Sequence, residues 1–129
     1  MNTTAILQAA MDQGQGILRL APNWVPRSFC VPGRRIKLRD IYLSQNVAVN
    51  ERWLASTTYA DNGVFNAICP PDHGLSYLIV DGRRVQLRRA LEVCPAAMLG
   101  DANRRWDVLP KFFDNRDRIP NHLHPCPDH

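Results

Sequence analysis

Ten prolines are scattered from Pro22 to Pro127, and they limit the length of every regular element this chain can build. A proline ring fixes φ at about −65° and removes a backbone donor, so it ends helices and is kept out of central strands. Seven glycines add further breaks. Long helices are therefore excluded as the main architecture, and short strands separated by frequent turns fit better. At 129 residues the chain is the size of one domain, long enough to bury a sizeable core.

The periodicities between the breaks can be read in order. Thr3 or Thr4 can cap a first helix running to about Gln13, with Ile6, Leu7 and Ala10 on one face, ended by Gly14 and Gly16. Ile17 to Leu20 reads as a short strand, and residues 23–27 are held extended by their prolines. Val31-Pro32-Gly33 predicts a type II turn, followed by a half-exposed strand from Arg34 to Leu38. Residues 51–58 predict a strand or a short helix, and residues 59–74 a long loop.

Leu75 to Val80 predicts a strand, Asp81-Gly82 a hairpin turn, and Arg83 to Leu87 the return strand. Arg88 to about Leu99 has helical spacing interrupted by Pro95. Residues 109–113 and 119–124 are the last two strand candidates, joined by a polar turn over 115–118. This order predicts a mainly β, α+β fold: a partial antiparallel sheet with one or two short peripheral helices.

The net charge is +4, from 16 basic and 12 acidic side chains, and all the basic residues but Lys37 and Lys111 are arginines. Arginine suits bidentate contacts to phosphate or carboxylate, so an anionic small molecule is compatible with the chain. The clusters Arg34-Arg35-Lys37-Arg39 and Arg83-Arg84-Arg88-Arg89 can contact phosphates, or simply form solvated strand faces. Nucleic acid is disfavoured as a partner because no aromatic residues interleave these clusters. No apolar run approaches the roughly 18 residues of a membrane span. The four cysteines, at positions 30, 69, 94 and 126, form no CxxC pair. With no signal-like N-terminal segment, a reducing cytoplasm and free thiols are the expectation.

The residues with the most chemical content lie near the end. His122 and His124 are two apart, which on a strand puts both imidazoles on one face. Asp128 follows four residues later. Two imidazoles and a carboxylate are a donor set for a divalent metal, zinc first, with one position open for water or substrate. Cys126 or His129 can substitute as a ligand. The competing reading of the same residues is a solvated, frayed tail. Cys69 and His73 form a C-x3-H pair, but a zinc finger would need its second pair from the distant tail.

Lys111-Phe112-Phe113-Asp114-Asn115 followed by Ile119-Pro120-Asn121-His122-Leu123-His124-Pro125 resembles the first metal-binding hairpin of cupins. It is most similar to the type I phosphomannose isomerase branch. The upstream blocks Trp24-Val25-Pro26-Arg27, Glu51 to Thr58, and Gly74-Leu75-Ser76-Tyr77 are similar to the N-terminal part of cupin proteins related to that isomerase. The resemblance implies a partial cupin or jelly-roll sheet over residues 1–129, the N-terminal portion of a larger cupin. It implies His122 and His124 as metal ligands. Asp128 stands where many cupins place a glutamate ligand. Cys126 and Pro127 stand where isomerases often carry a catalytic lysine. The implied chemistry is metal-dependent aldose–ketose interconversion of a sugar phosphate such as mannose 6-phosphate. Arg34, Arg35, Arg52 and Lys111 are the candidate substrate-binding residues, and the general base is not identified.

The alternatives are a non-enzymatic binding or assembly module and a small nucleic-acid-associated protein. In the assembly reading, a second copy or a partner chain pairs with exposed sheet edges.

Overall fold

The computed structural model describes residues 2–36 and 48–121. Its first element is the helix α1, Thr3–Gln13. Asn2, not Thr3 or Thr4, is the cap: its side chain accepts a hydrogen bond from the Thr4 amide at 3.2 Å. That satisfies one of the donors a helix start leaves open. Ile6 and Leu7 are the buried residues of α1, and both belong to the apolar face predicted from the 3.6-residue period, with Ala10 packed against the same core.

Among the described residues, six short strands form two three-stranded antiparallel sheets. The first sheet is ordered β1-β4-β5, with β1 at Arg19–Leu20, β4 at Tyr77–Val80 and β5 at Arg83–Gln86. Asp81 and Gly82 join β4 to β5 with φ of 49° and 71°. Two consecutive left-handed residues are what a type I′ hairpin needs, so Asp-Gly was a reliable signal here. The helix α2, Leu87–Val93, follows β5 directly, and α3, Pro95–Leu99, follows α2. The helix expected over 88–99 is thus divided at Cys94, because Pro95 tolerates only the first turn of a new helix. Three short α-helices stand among the described residues, where one or two were expected.

The main core lies between this sheet and the helices. Leu78 and Val80 of β4 pack with Ile6 and Leu7 of α1 and with Leu87, Ala90 and Cys94. Val80 and Leu78 are among the least exposed side chains of the protein. Burial of such side chains stabilises the fold by about 1.5–3 kcal/mol each.

The second sheet is ordered β2-β3-β6, with β2 at Trp24–Val25, β3 at Glu51–Trp53 and β6 at Lys111–Phe113. The expected mainly β, α+β arrangement of partial antiparallel sheets therefore holds, and the described residues close no barrel. A buried polar joint links the two sheets. Asn23 donates through Nδ2 to the Gly74 carbonyl at 2.8 Å and to Ser76 Oγ at 3.3 Å. Ser76 Oγ also accepts from the Ser56 amide at 2.8 Å, and the Ser76 amide donates to the Ser56 carbonyl at 2.9 Å. All three side chains are buried, so their mutual satisfaction fixes where the chain passes between sheets.

Two local expectations are corrected. Val31-Pro32-Gly33 is not a type II turn: Pro32 forms an isolated bridge with Asn115, and the Gly33 amide donates to the Asp114 carbonyl at 2.6 Å. Glycine is needed there for close approach, since a Cβ would collide with the Asp114 side chain and stand 2.9 Å from its carbonyl oxygen. The predicted strand from Arg34 begins as a bend, with its far end outside the described residues. The long loop 59–74 contains a 3-10 turn, Gly63–Ala67.

Candidate functional site

Cross-strand register decides which side chains of the second sheet meet. Glu51 lies opposite both Val25 and Phe113, and Trp53 lies opposite Lys111. Directly opposed residues share a face, and so do residues two apart on one strand. Glu51, Trp53, Lys111 and Phe113 are therefore one surface. Arg52, opposite Trp24 and Phe112, is on the other.

On the first face sits a carboxylate with almost no access to water. Glu51 is 1% exposed. Its Oε2 accepts the indole Nε1–H of Trp53 at 2.6 Å and lies 3.7 Å from Lys111 Nζ. Its Oε1 lies 3.7 Å from Arg27 Nε. Aromatic rings surround the two cations. Arg27 stands 4.8 Å from the Phe29 ring centroid and 5.6 Å from that of Trp53. Lys111 stands 5.0 Å from Trp53 and 5.2 Å from Phe113. Such contacts are worth roughly 0.5–2 kcal/mol each, the more so when water is excluded. Among its described members the cluster sets two positive charges against the one carboxylate of Glu51, and the exposed Asp61 carboxylate also acts on Arg27.

Burial also reaches Cys30. Its thiol is pushed above the ordinary cysteine range, chiefly by loss of solvent and further by the Glu51 carboxylate, with Arg27 opposing. A raised pKa keeps the sulfur protonated and makes it a poor nucleophile.

The four residues predicted to bind substrate do not converge. Lys111 belongs to the Glu51 cluster. Arg52 lies over Trp24, 5.1 Å from the ring centroid, on the opposite face. Arg34 and Arg35 are exposed in the bend after Pro32. Arg27 and Glu51, which are not among the substrate-binding residues expected from the sequence, are the cluster's other charged members. The sequence signal for them was their place within the blocks 24–27 and 51–58. His122, His124 and Asp128 lie outside the described residues. No group of three metal-ligating side chains occurs among the described ones.

Comparison with family models, with curated proteins and with solved structures finds no match for this chain. No helix among the described residues is long and apolar enough to cross a membrane.

A second polar cluster gathers around Asn62, beside a cavity of about 370 Å³. Asn62 is buried, and its Nδ2 donates to His73 Nδ1 at 2.9 Å and to Cys69 Sγ at 3.2 Å. The other ring nitrogen, Nε2, is 2.9 Å from the Trp24 carbonyl. A carbonyl can only accept, so Nε2 carries the proton and Nδ1 presents its lone pair to Asn62. His73 thus ties the long loop to β2. Its Nδ1 lone pair is directed at an amide and not at a substrate, so this trio reads as a structural joint.

Proposed function

We propose that this chain is a metal-binding cupin-like β domain related to sugar-phosphate aldose–ketose isomerases. His122, His124 and Asp128 would hold a divalent metal, zinc first, and the anionic end of the substrate would lie near Lys111 on β6. A zinc bound there would polarise the substrate carbonyl. Two imidazoles and a carboxylate suit a catalytic zinc with an open position.

The observation that carries this reading is the position of Lys111. It lies on the strand that leads toward the histidine segment, and it shares a single buried counter-ion with Arg27. A cation that shares its partner can turn to a second anion at low cost, and a phosphate supplies one.

The test is elemental analysis of the purified chain beside His122→Ala and His124→Ala. It is coupled to an assay of mannose 6-phosphate conversion to the ketose phosphate. About one zinc per chain that is lost in both variants is the expected result. A folded, metal-free wild type would remove the metal centre and the reaction with it.

One observation favours the assembly module as the second reading. Phe112 and Phe113 on β6 are 60% and 48% exposed, and β6 ends the order of its sheet. An edge strand with outward aromatics is a template for pairing. Light scattering decides between the readings: a metal-free dimer that dissociates on Phe112→Asp would favour assembly.

A further inference from the structure

Arg27 belongs to the Glu51 cluster on one side and lines a cavity of about 420 Å³ on the other. The cavity is bounded by Phe29, Val31, Pro32 and Phe65, with Cys30 contributing its protonated thiol. Among the described residues, Arg27 is the single charged one of that lining.

The guanidinium of Arg27 is under-satisfied. Its Nε and Nη1 are withdrawn from water and have no hydrogen-bond partner among the described residues. The Glu51 oxygen at 3.7 Å from Nε attracts it as a charge but is too distant for a hydrogen bond. Glu51 is already committed to the Trp53 indole at 2.6 Å and is shared with Lys111. A buried donor left without an acceptor is costly, and more so when charged, so such a group calls for an explanation.

We propose that this cavity is a binding site for a small aromatic carboxylic acid, distinct from the metal and sugar-phosphate site. The carboxylate takes the planar fork of Arg27, which matches its two oxygens. It also adds a negative charge beside Arg27 and Lys111, which share the one carboxylate of Glu51. The ring of the acid fills the apolar space between Phe29 and Phe65. The volume lies in the range of small-molecule pockets, apolar walls with one polar anchor being their usual composition. Phosphate is the poorer fit, since beyond Arg27 the described lining offers it only the Ser28 hydroxyl and the Cys30 thiol, and its other oxygens would face apolar walls. Phe29 is half-exposed with its ring over the guanidinium, so in the proposed complex it has to turn aside to open the fork to the ligand.

The test is a fluorine NMR titration of 4-fluorobenzoate against the whole chain. 4-Fluorobenzyl alcohol serves as the neutral counterpart and inorganic phosphate as competitor. Saturable binding of the acid at roughly 1 mM or tighter is expected, with none of the alcohol. Arg27→Lys keeps the charge opposite Glu51 and removes the fork, and should weaken binding at least tenfold. Phe65→Ala should weaken it too, without touching the Glu51 ion pairs. Equal binding of the alcohol, unchanged binding in Arg27→Lys, or displacement of the acid by phosphate at equal concentration would each overturn the proposal. So would the absence of saturation in a folded wild type. Repeating the titration with chelator and with His122→Ala/His124→Ala separates this site from the metal centre. Binding should persist there, and its loss would show that the two are one site.

Discussion

Trp53 donates its indole Nε1–H to Oε2 of Glu51, two residues back on the same strand, at 2.6 Å. Both side chains are buried, so the bond is formed where water cannot replace it. Among the described residues, Glu51 is the carboxylate that ion-pairs with both Arg27 and Lys111. Glu51→Gln keeps the size and removes the charge, leaving two cations facing a neutral amide. The expected loss of stability is roughly 3–5 kcal/mol, the range for breaking a buried ion pair. Trp53→Phe removes one charge-assisted hydrogen bond and should cost about 1.5–3 kcal/mol. Urea denaturation at neutral pH measures both. A Glu51→Gln midpoint indistinguishable from wild type would show that the ion pairs contribute nothing net.

The contact between Gly33 and Asp114 makes a second prediction. Gly33 donates its amide to the Asp114 carbonyl, and the Asp114 carboxylate accepts the Ile36 amide, so two segments are clasped at one residue. Gly33→Ala places a methyl group into the Asp114 side chain and should cost roughly 2 kcal/mol or more. In the Gly33→Ala/Asp114→Ala double variant the side-chain collision is gone. Its loss should therefore be smaller than the sum of the single losses. Strict additivity would mean that the clash is not with the side chain.

The same residue shows where the sequence was legible and where it was not. Asp81-Gly82 was readable because an I′ turn depends on two neighbouring residues. The α1 stripe of Ile6, Leu7 and Ala10 was readable because a helix repeats its pattern locally. Gly33 was misread as a turn because its role depends on Asp114, eighty-one positions away by the numbering of the chain. Pro95 was recognised as an interruption, and its outcome was a second helix rather than an end. In the candidate site, Lys111 was named from the sequence for phosphate contact. Glu51 was not named, since nothing in Val-Asn-Glu-Arg-Trp tells a buried carboxylate from an exposed one. Only cross-strand register shows that Glu51 and Lys111 share a face while Arg52 does not.

Tyr77 gives a prediction at alkaline pH. Its hydroxyl donates to Oδ2 of Asp72, and this bond, with burial second, raises the phenol above its ordinary 10.0. The nearby guanidinium of Arg84, 4.3 Å from the ring centroid, opposes the shift. Because the folded value is the higher one, the stabilisation is fully present below pH 10 or so and is lost as pH rises through the folded value. Tyr77→Phe should therefore be less stable than wild type at neutral pH, with the gap closing at high pH. Melting temperatures of both proteins from pH 7 to 11 supply the check. A constant gap would mean that the bond to Asp72 does not distinguish the protonated phenol.

The geometry around His73 fixes a tautomer, and that is directly observable. Nε2–H points at the Trp24 carbonyl and Nδ1 receives the Asn62 amide, so the neutral ring must be the Nε2–H form. Long-range proton–nitrogen correlation at pH 8 should show the Nε2–H pattern for this histidine. Asn62→Leu removes the buried donor, leaves Nδ1 without its amide, and should cost about 1–3 kcal/mol. An Nδ1–H tautomer in the wild type would break both hydrogen bonds as assigned, and the anchoring of the loop to β2 with them.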